Sequence, residues 1–409
     1  MSATVCAFAP QQAIAQQCVP VGDRLAPVPW AQNMLAPDKV WPLSTGAGQR
    51  VAVVATGVAD TPFLASALIG NTDVAPMDEN RQDSGRVDCL GIGTGVAGTV
   101  AGQPVQGAGF RGLAPGARIL SAKAVGDAYP TGRQPPNSVA PGTLATAIDW
   151  SIDQNATIIV VASITYEDSE QLRAAVRRAV DSDAVVIAAV GEANQNEPTG
   201  ATPYPAAYEG VLGVGAIGQE GTVAQESRAE HVDLVAPGAN IVTTYPRDGL
   251  GSASGTAFAA GYVGGAAALV RAYRPNRSAA SVVHQLLATA TPAPEGVGSA
   301  RYGHGIVNPY LATLNRTVDG NPVQLPTMTP AVVTAEELAR QQSWAASSSL
   351  AFTLAGAALT VAGLLTGIAV FGPRGRRRRW RSGFAPVPAA PSDTVSPSPP
   401  GGLFDDKRR

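Results

Sequence analysis

Charge bias is missing from this chain: 29 Lys and Arg stand against 31 Asp and Glu, a formal net charge of −2 over 409 residues. No basic face stands out in the first 340 residues, which argues against nucleic acid as a partner. Aromatic residues make up only 5% of the chain, and histidine occurs three times, at His231, His284 and His304. No two of them have the H-E-x-x-H spacing of a zinc enzyme, and no carboxylate-rich loop has the spacing of a calcium site. Neither a metal nor another cofactor is therefore expected, and each histidine reads as a surface or hydrogen-bonded residue. Cysteine is as rare: Cys6, Cys18 and Cys89. Ala13-Ile14-Ala15 has the A-x-A form of a signal-peptidase site. The segment before it has no Lys or Arg, so residues 1–15 read as a signal-peptide remnant, with the start inside a longer signal. Cleavage after Ala15 removes Cys6 and leaves Cys18 and Cys89 as an even pair. A bridge between them would stabilise the fold by about 4 kcal/mol on chain-entropy grounds; the alternative is two unpaired buried thiols.

Small apolar residues, 45 glycines and 33 prolines fill the space left by charge and aromatics. Residues 16–48 read as an extended, Pro-rich arm pinned to the domain by Trp30 and Trp41. Short apolar strands follow at QRVAVVATGV, ARILSAKAV, TIIVVASI, AVVIAAVG, GVLGVGAI and VDLVAPG. Helical spacing separates them in TLATAIDWSIDQNA and SEQLRAAVRRAVDSD. Strands buried on both faces and joined by helices predict an α/β domain with a mainly parallel central sheet flanked by helices. The stretch GSASGTAFAA, from Gly251, runs into GYVGGAAALVRAY and is apolar on every face until Pro275. A helix over 256–273 with no polar face belongs in the middle of that domain. SAASVVHQLLATA is a further helix, and the domain spans 49–312.

Residues 313–346 have linker composition. Leu350 to Phe371 carries no charge and is long enough to span a bilayer once. The RGRRRRWR cluster behind it marks the cytoplasmic side. The first 340 residues are then extracytoplasmic, and residues 372–409 form a basic, then disorder-like cytoplasmic tail.

The arm PVPWAQNMLAPDKVWPLSTGAGQRVAVV, the turn SGTAFAAGYVGGAAALVRA and the single C-terminal span resemble the mycosins. These are membrane-anchored subtilisin-like (peptidase S8) proteases that accompany type VII secretion systems in mycobacteria and related actinobacteria. The resemblance runs from about residue 13 to 380 and implies a subtilisin-like fold. It also implies a Ser-His-Asp triad with an oxyanion asparagine, groups that attack, move the proton, orient the base and hold the developing charge. Family members carry the carboxylate in V-A-V-I-D-T-G-V, and V-A-V-V-A-T-G-V puts Ala55 there. They carry the histidine in D-G-H-G-T-x-V-A-G, and L-G-I-G-T-G-V-A-G puts Ile92 there. Their serine lies in S-G-T-S, matched by Ala257. Glu192 matches the oxyanion asparagine of A-A-G-N, with Asn194 reachable by a two-residue shift, and a carboxylate there would repel a developing oxyanion.

Ala and Ile cannot attack or ionise, so a pseudoprotease is expected, one that stabilises the secretion membrane complex, with homo-oligomerisation inside the complex left open. A non-cleaving module that binds peptides of secreted substrates is the alternative, followed by a serine-type endopeptidase with residual activity through Ser252, Ser254 or Thr256. Gly93-Thr94-Gly95-Val96-Ala97-Gly98 also fits the dinucleotide fingerprint G-x-G-x-x-G. No acidic residue follows between Gly98 and Gly126, and no good strand precedes it, so these glycines read as the tight start of the family's histidine-bearing helix.

Overall fold

The computed structural model describes residues 18–20, 22–23, 27–75, 85–126, 138–193, 200–247 and 249–314. Two compact units divide the chain, Met1–Gly320 and Asn321–Arg409, and the described residues all belong to the first. The expected signal remnant, the membrane span and the cytoplasmic tail lie outside the described residues, as does most of the linker. Among the described residues no helix is long and apolar enough to cross a membrane.

Seven strands form one parallel sheet: β1 Arg50–Ala55, β2 Leu68–Asp73, β3 Arg118–Lys123, β4 Ile158–Val161, β5 Val185–Ala189, β6 Val211–Ile217 and β7 Leu234–Pro237. Their order is β2-β3-β1-β4-β5-β6-β7, every pairing parallel. Strands β4 to β7 are buried at every residue because both faces are covered. One face carries α3 Pro141–Asp153 and α4 Glu170–Asp181, whose Leu144, Ile148, Leu172 and Val176 pack on Val54, Val161 and Val186. The other carries α2 Ile92–Ala101, α5 Thr256–Tyr273 and α6 Ala279–Ala288, with α7 Pro309–Leu314 closing the domain. As the composition predicts, α5 is central: sixteen of its residues, from Thr256 to Arg271, are buried.

The arm departs from the extended reading. It contains a helix, α1 Trp30–Leu35, which ends where Ala36 turns left-handed at φ 43°. Its apolar residues are spaced so that Ala31 and Leu35 meet the core together. Both tryptophans do pin it, Trp30 Nε1 donating to the Asn240 carbonyl and Trp41 Nε1 to that of Leu113, each at 3.0 Å. Strand β2 and the antiparallel hairpin of β8 Ile241–Tyr245 with β9 Gly249–Ala253 add to the strands expected from sequence; β2 and β9 carry few large apolar residues. The stretch from Gly251 to Ala253 is strand, paired with β8, and the S-G-T-A turn follows it. Gly251 has no side chain because the Tyr245 ring covers its Cα.

Candidate functional site

In a parallel sheet of this kind, sites form beyond the carboxyl ends of the strands, near a reversal of strand order. Here β1 lies between β3 and β4, and the four residues expected at the site gather at that edge. Ala55 ends β1, Ile92 opens α2, Ala257 is the second residue of α5, and Glu192 follows β5. A Cβ on Gly93 would lie 3.1 Å from that of Ala55, and a Cβ on Gly95 would lie 2.6 Å from the Phe258 ring. Gly98 is pressed as closely against Thr244 and Thr243. The glycines of the G-x-G-x-x-G match thus let α2 lie against α5 and β8; they make a packing surface, as the sequence reading has it.

The N-terminal amides of two helices aim into this site, and the chain's own carboxylates occupy both. On α5, Glu192 Oε1 accepts from Thr256 N at 2.8 Å and from Thr256 Oγ1 at 3.1 Å. Glu192 was expected to repel an oxyanion; its carboxylate also fills the position of an anion, complementing the positive end of the helix. Asn194 lies outside the described residues.

On α2 the occupant is Asp88, a residue that the sequence reading passed over. Its Oδ1 accepts from Gly91 N at 2.8 Å and Thr56 Oγ1 at 2.7 Å. Its Oδ2 accepts from Thr94 N at 2.8 Å and Thr94 Oγ1 at 2.7 Å. Thr56 Oγ1 in turn accepts from Gly93 N at 2.9 Å, so the amides of Gly91, Gly93 and Thr94 are satisfied. Burial pushes the Asp88 carboxyl above its ordinary value, opposed by the bonds from Thr94, Thr56 and Gly91. The spacing of Asp88 ahead of Gly91 and Thr94 was the available signal, since a carboxylate just before a helix start is a capping pattern.

The hydroxyls near Ala257 also have structural duties. Ser254 Oγ accepts from Asn240 N at 2.8 Å, and Thr256 Oγ1 accepts from Gly191 N at 3.1 Å. The disulfide Cys18–Cys89 is formed, with Cα atoms 4.5 Å apart, and ties the arm to the residue next to Asp88. Val19 N donates to the Cys89 carbonyl at 2.9 Å in the same connection. The three histidines lie elsewhere, at the amino ends of the strands. His231 and His304 line one cavity there, and His284 lines its neighbour. His304 Nδ1 is 3.3 Å from the Asp233 carbonyl, in keeping with a hydrogen-bonded surface histidine. Among the described residues no group of three or more His, Cys, Asp or Glu is placed to hold a metal ion.

This parallel sheet, its buried central helix and a site at the strands' carboxyl edge define a subtilisin-like α/β protein. The chain belongs to the subtilase family (peptidase S8), whose profile matches residues 46–305. Within it the chain is homologous to the mycosins. It is 35% identical over 324 residues to Mycosin-3 of Mycobacterium tuberculosis (strain ATCC 25618 / H37Rv), covering 66% of this chain and 68% of that protein. The solved structure of MycP1, a serine protease that is an essential component of the type VII (ESX-1) secretion system, superposes with a TM-score of 0.64 at 30% identity. That match covers 74% of this chain and 93% of MycP1. A chain of the periplasmic assembly from the ESX-5 inner membrane complex gives a TM-score of 0.64 at 29% identity, covering 78% and 92%.

Proposed function

We propose that this chain is a catalytically silent subtilase that serves as a structural component of a type VII secretion membrane complex. The observation that carries the reading is the occupied site. Ala55, Ile92 and Ala257 stand where the family's carboxylate, histidine and serine are expected, and Glu192 binds the α5 amide end that would face an oxyanion. At those three positions no group remains to attack, to take a proton or to orient a base, and losing any one of these costs orders of magnitude in rate. The solved ESX-5 assembly supports the structural role, since a relative of the same fold is built into a membrane complex. In this reading Leu350 to Phe371 anchors the chain, the subtilase domain lies on the extracytoplasmic side, and the arginine-rich tail is cytoplasmic.

Two measurements on full-length protein test it. A fluorophosphonate probe is expected to leave the protein unlabelled; labelling of a serine at the site overturns the loss of chemistry. Gentle-detergent purification of the tagged chain from its native membranes is expected to bring type VII membrane components in fixed proportion. Recovery of the chain alone, or with secreted substrates only, overturns the structural role.

A further inference from the structure

The amino ends of β5, β6 and β7 form a second pole, and its surface is built unlike the site. A cavity of about 840 Å³ lies between the loop before β6, the loop before β7 and the Gly298–His304 segment. Glu209, Glu230 and Asp233 line it together with His231 and His304, and no lysine or arginine is among its lining residues. A second cavity, of about 410 Å³, lies between the end of α4 and α6, with Val180, Val211, Val283 and Leu287 in its walls. The two meet at Gly210, Val211 and Asp233, which line both. Val180 on the rim of the apolar lobe is 37% exposed, a large aliphatic residue left facing solvent.

We propose that this two-lobed groove is the docking site for an extended polypeptide segment of a partner, with a lysine or arginine in the acidic lobe and an aliphatic side chain in the apolar lobe. The inference rests on the structural role proposed above and names the surface through which it acts. Charge complementarity selects the cation: Glu209, Glu230 and Asp233 line one cavity with no lysine or arginine among its walls. The absence, among the described residues, of a cluster able to ligate a metal favours an organic cation over a divalent ion. Asp233 adds to the case. It accepts from Gly213 N at 2.8 Å at the start of β6, and burial pushes its carboxyl up against the opposing pull of Gly213, His304 and His231. An entering ammonium or guanidinium group stabilises that carboxylate as an anion. The elongated path suits a peptide better than a compact ligand, because the acidic lobe alone has the volume of a typical small-molecule pocket and the groove continues beyond it. A third depression shares Glu209 with the acidic lobe and is lined by Arg173 and Arg177, which Asp168 and Glu170 engage, so the partner's cation belongs on the side of Glu230 and Asp233.

The test uses full-length protein in detergent and a short, capped fluorescent peptide with Leu-Lys-Val at its centre. Saturable binding is expected. It should weaken about tenfold in Glu209→Lys and in Glu230→Lys, and again when the peptide's lysine is replaced by glutamate. Ala280→Trp, an exposed position on α6 that lines the apolar lobe, should abolish it while the melting temperature stays unchanged. Absence of saturable binding, or equal binding by these variants or by the glutamate peptide, overturns the proposal. A photo-crosslinker at position 280 in native membranes that captures a second copy of this chain, or the chain's own C-terminal residues, overturns it as well. The two readings fail separately: variants that still co-purify with the membrane components sink the groove and leave the structural role standing.

Discussion

The two poles of the sheet treat polar groups in opposite ways. At the carboxyl edge, Asp88 collects four hydrogen bonds within the fold and Glu192 closes on Thr256, so charge is turned inward. At the amino edge, Glu209, Glu230 and Asp233 face an open cavity. A buried carboxylate is tolerated only when donors surround it. A carboxylate lining a cavity that holds no lysine or arginine leaves room for a cation that enters. The comparison teaches that the carboxyl edge spends its carboxylates on bonds within the fold, while the amino edge leaves carboxylate residues lining a cavity.

The sharpest way to break the contrast is to open the inward pole. Replacing Cys18 and Cys89 by serine releases a loop with a sequence separation of 71 residues. It should cost about 4 kcal/mol by chain-entropy reasoning, read as a lower melting temperature in tryptophan fluorescence. Asp88→Asn should cost about 3 kcal/mol in the same assay, because an amide presents its own donors to two N–H and two O–H groups that need acceptors. An unchanged melting temperature would mean that the inward network contributes little.

Activity gives the next measure. Ala55→Asp, Ile92→His and Ala257→Ser together should leave peptide hydrolysis at background while Glu192 occupies the end of α5. Adding Glu192→Asn should raise the rate about a hundredfold, the usual worth of one oxyanion donor. Equal rates with and without the fourth change would show that Glu192 does not block the site. The smallest effect belongs to the outward pole. The folded value of Asp233 is raised above its ordinary 3.8, so the contribution of its proton to stability is complete below 3.8 and is lost as pH rises through the folded value. Asp233→Asn should flatten the melting temperature's dependence on pH across that window, and an unaltered profile would place the burial effect elsewhere.

Much of this contrast was legible residue by residue. The strands from β3 to β7 stand out as short apolar runs, and α5 as a helix without a polar face, because burial on both sides demands it. Ala55, Ile92 and Ala257 were readable because motifs around them survive. Strand β2 was not, since as an edge strand it needs few apolar residues, and β9 is held by its partner β8 and the Tyr245 ring instead of by its own hydrophobicity. Helix α1 was hidden among prolines. The groove was beyond reach, because Glu209, the run from Glu230 to Asp233, and His304 are far apart in the chain and individually look like ordinary surface residues.

The sequence by itself determined the parallel α/β class, the buried central helix and the absence of triad side chains from the expected positions. Periodicity, burial and side-chain identity are local properties of the chain. Tertiary structure decided that Asp88 and Glu192 occupy helix ends and that three carboxylates share one cavity. Those outcomes depend on which amides and walls the fold brings within about 3 Å of a carboxylate, a distance that no spacing along the chain encodes.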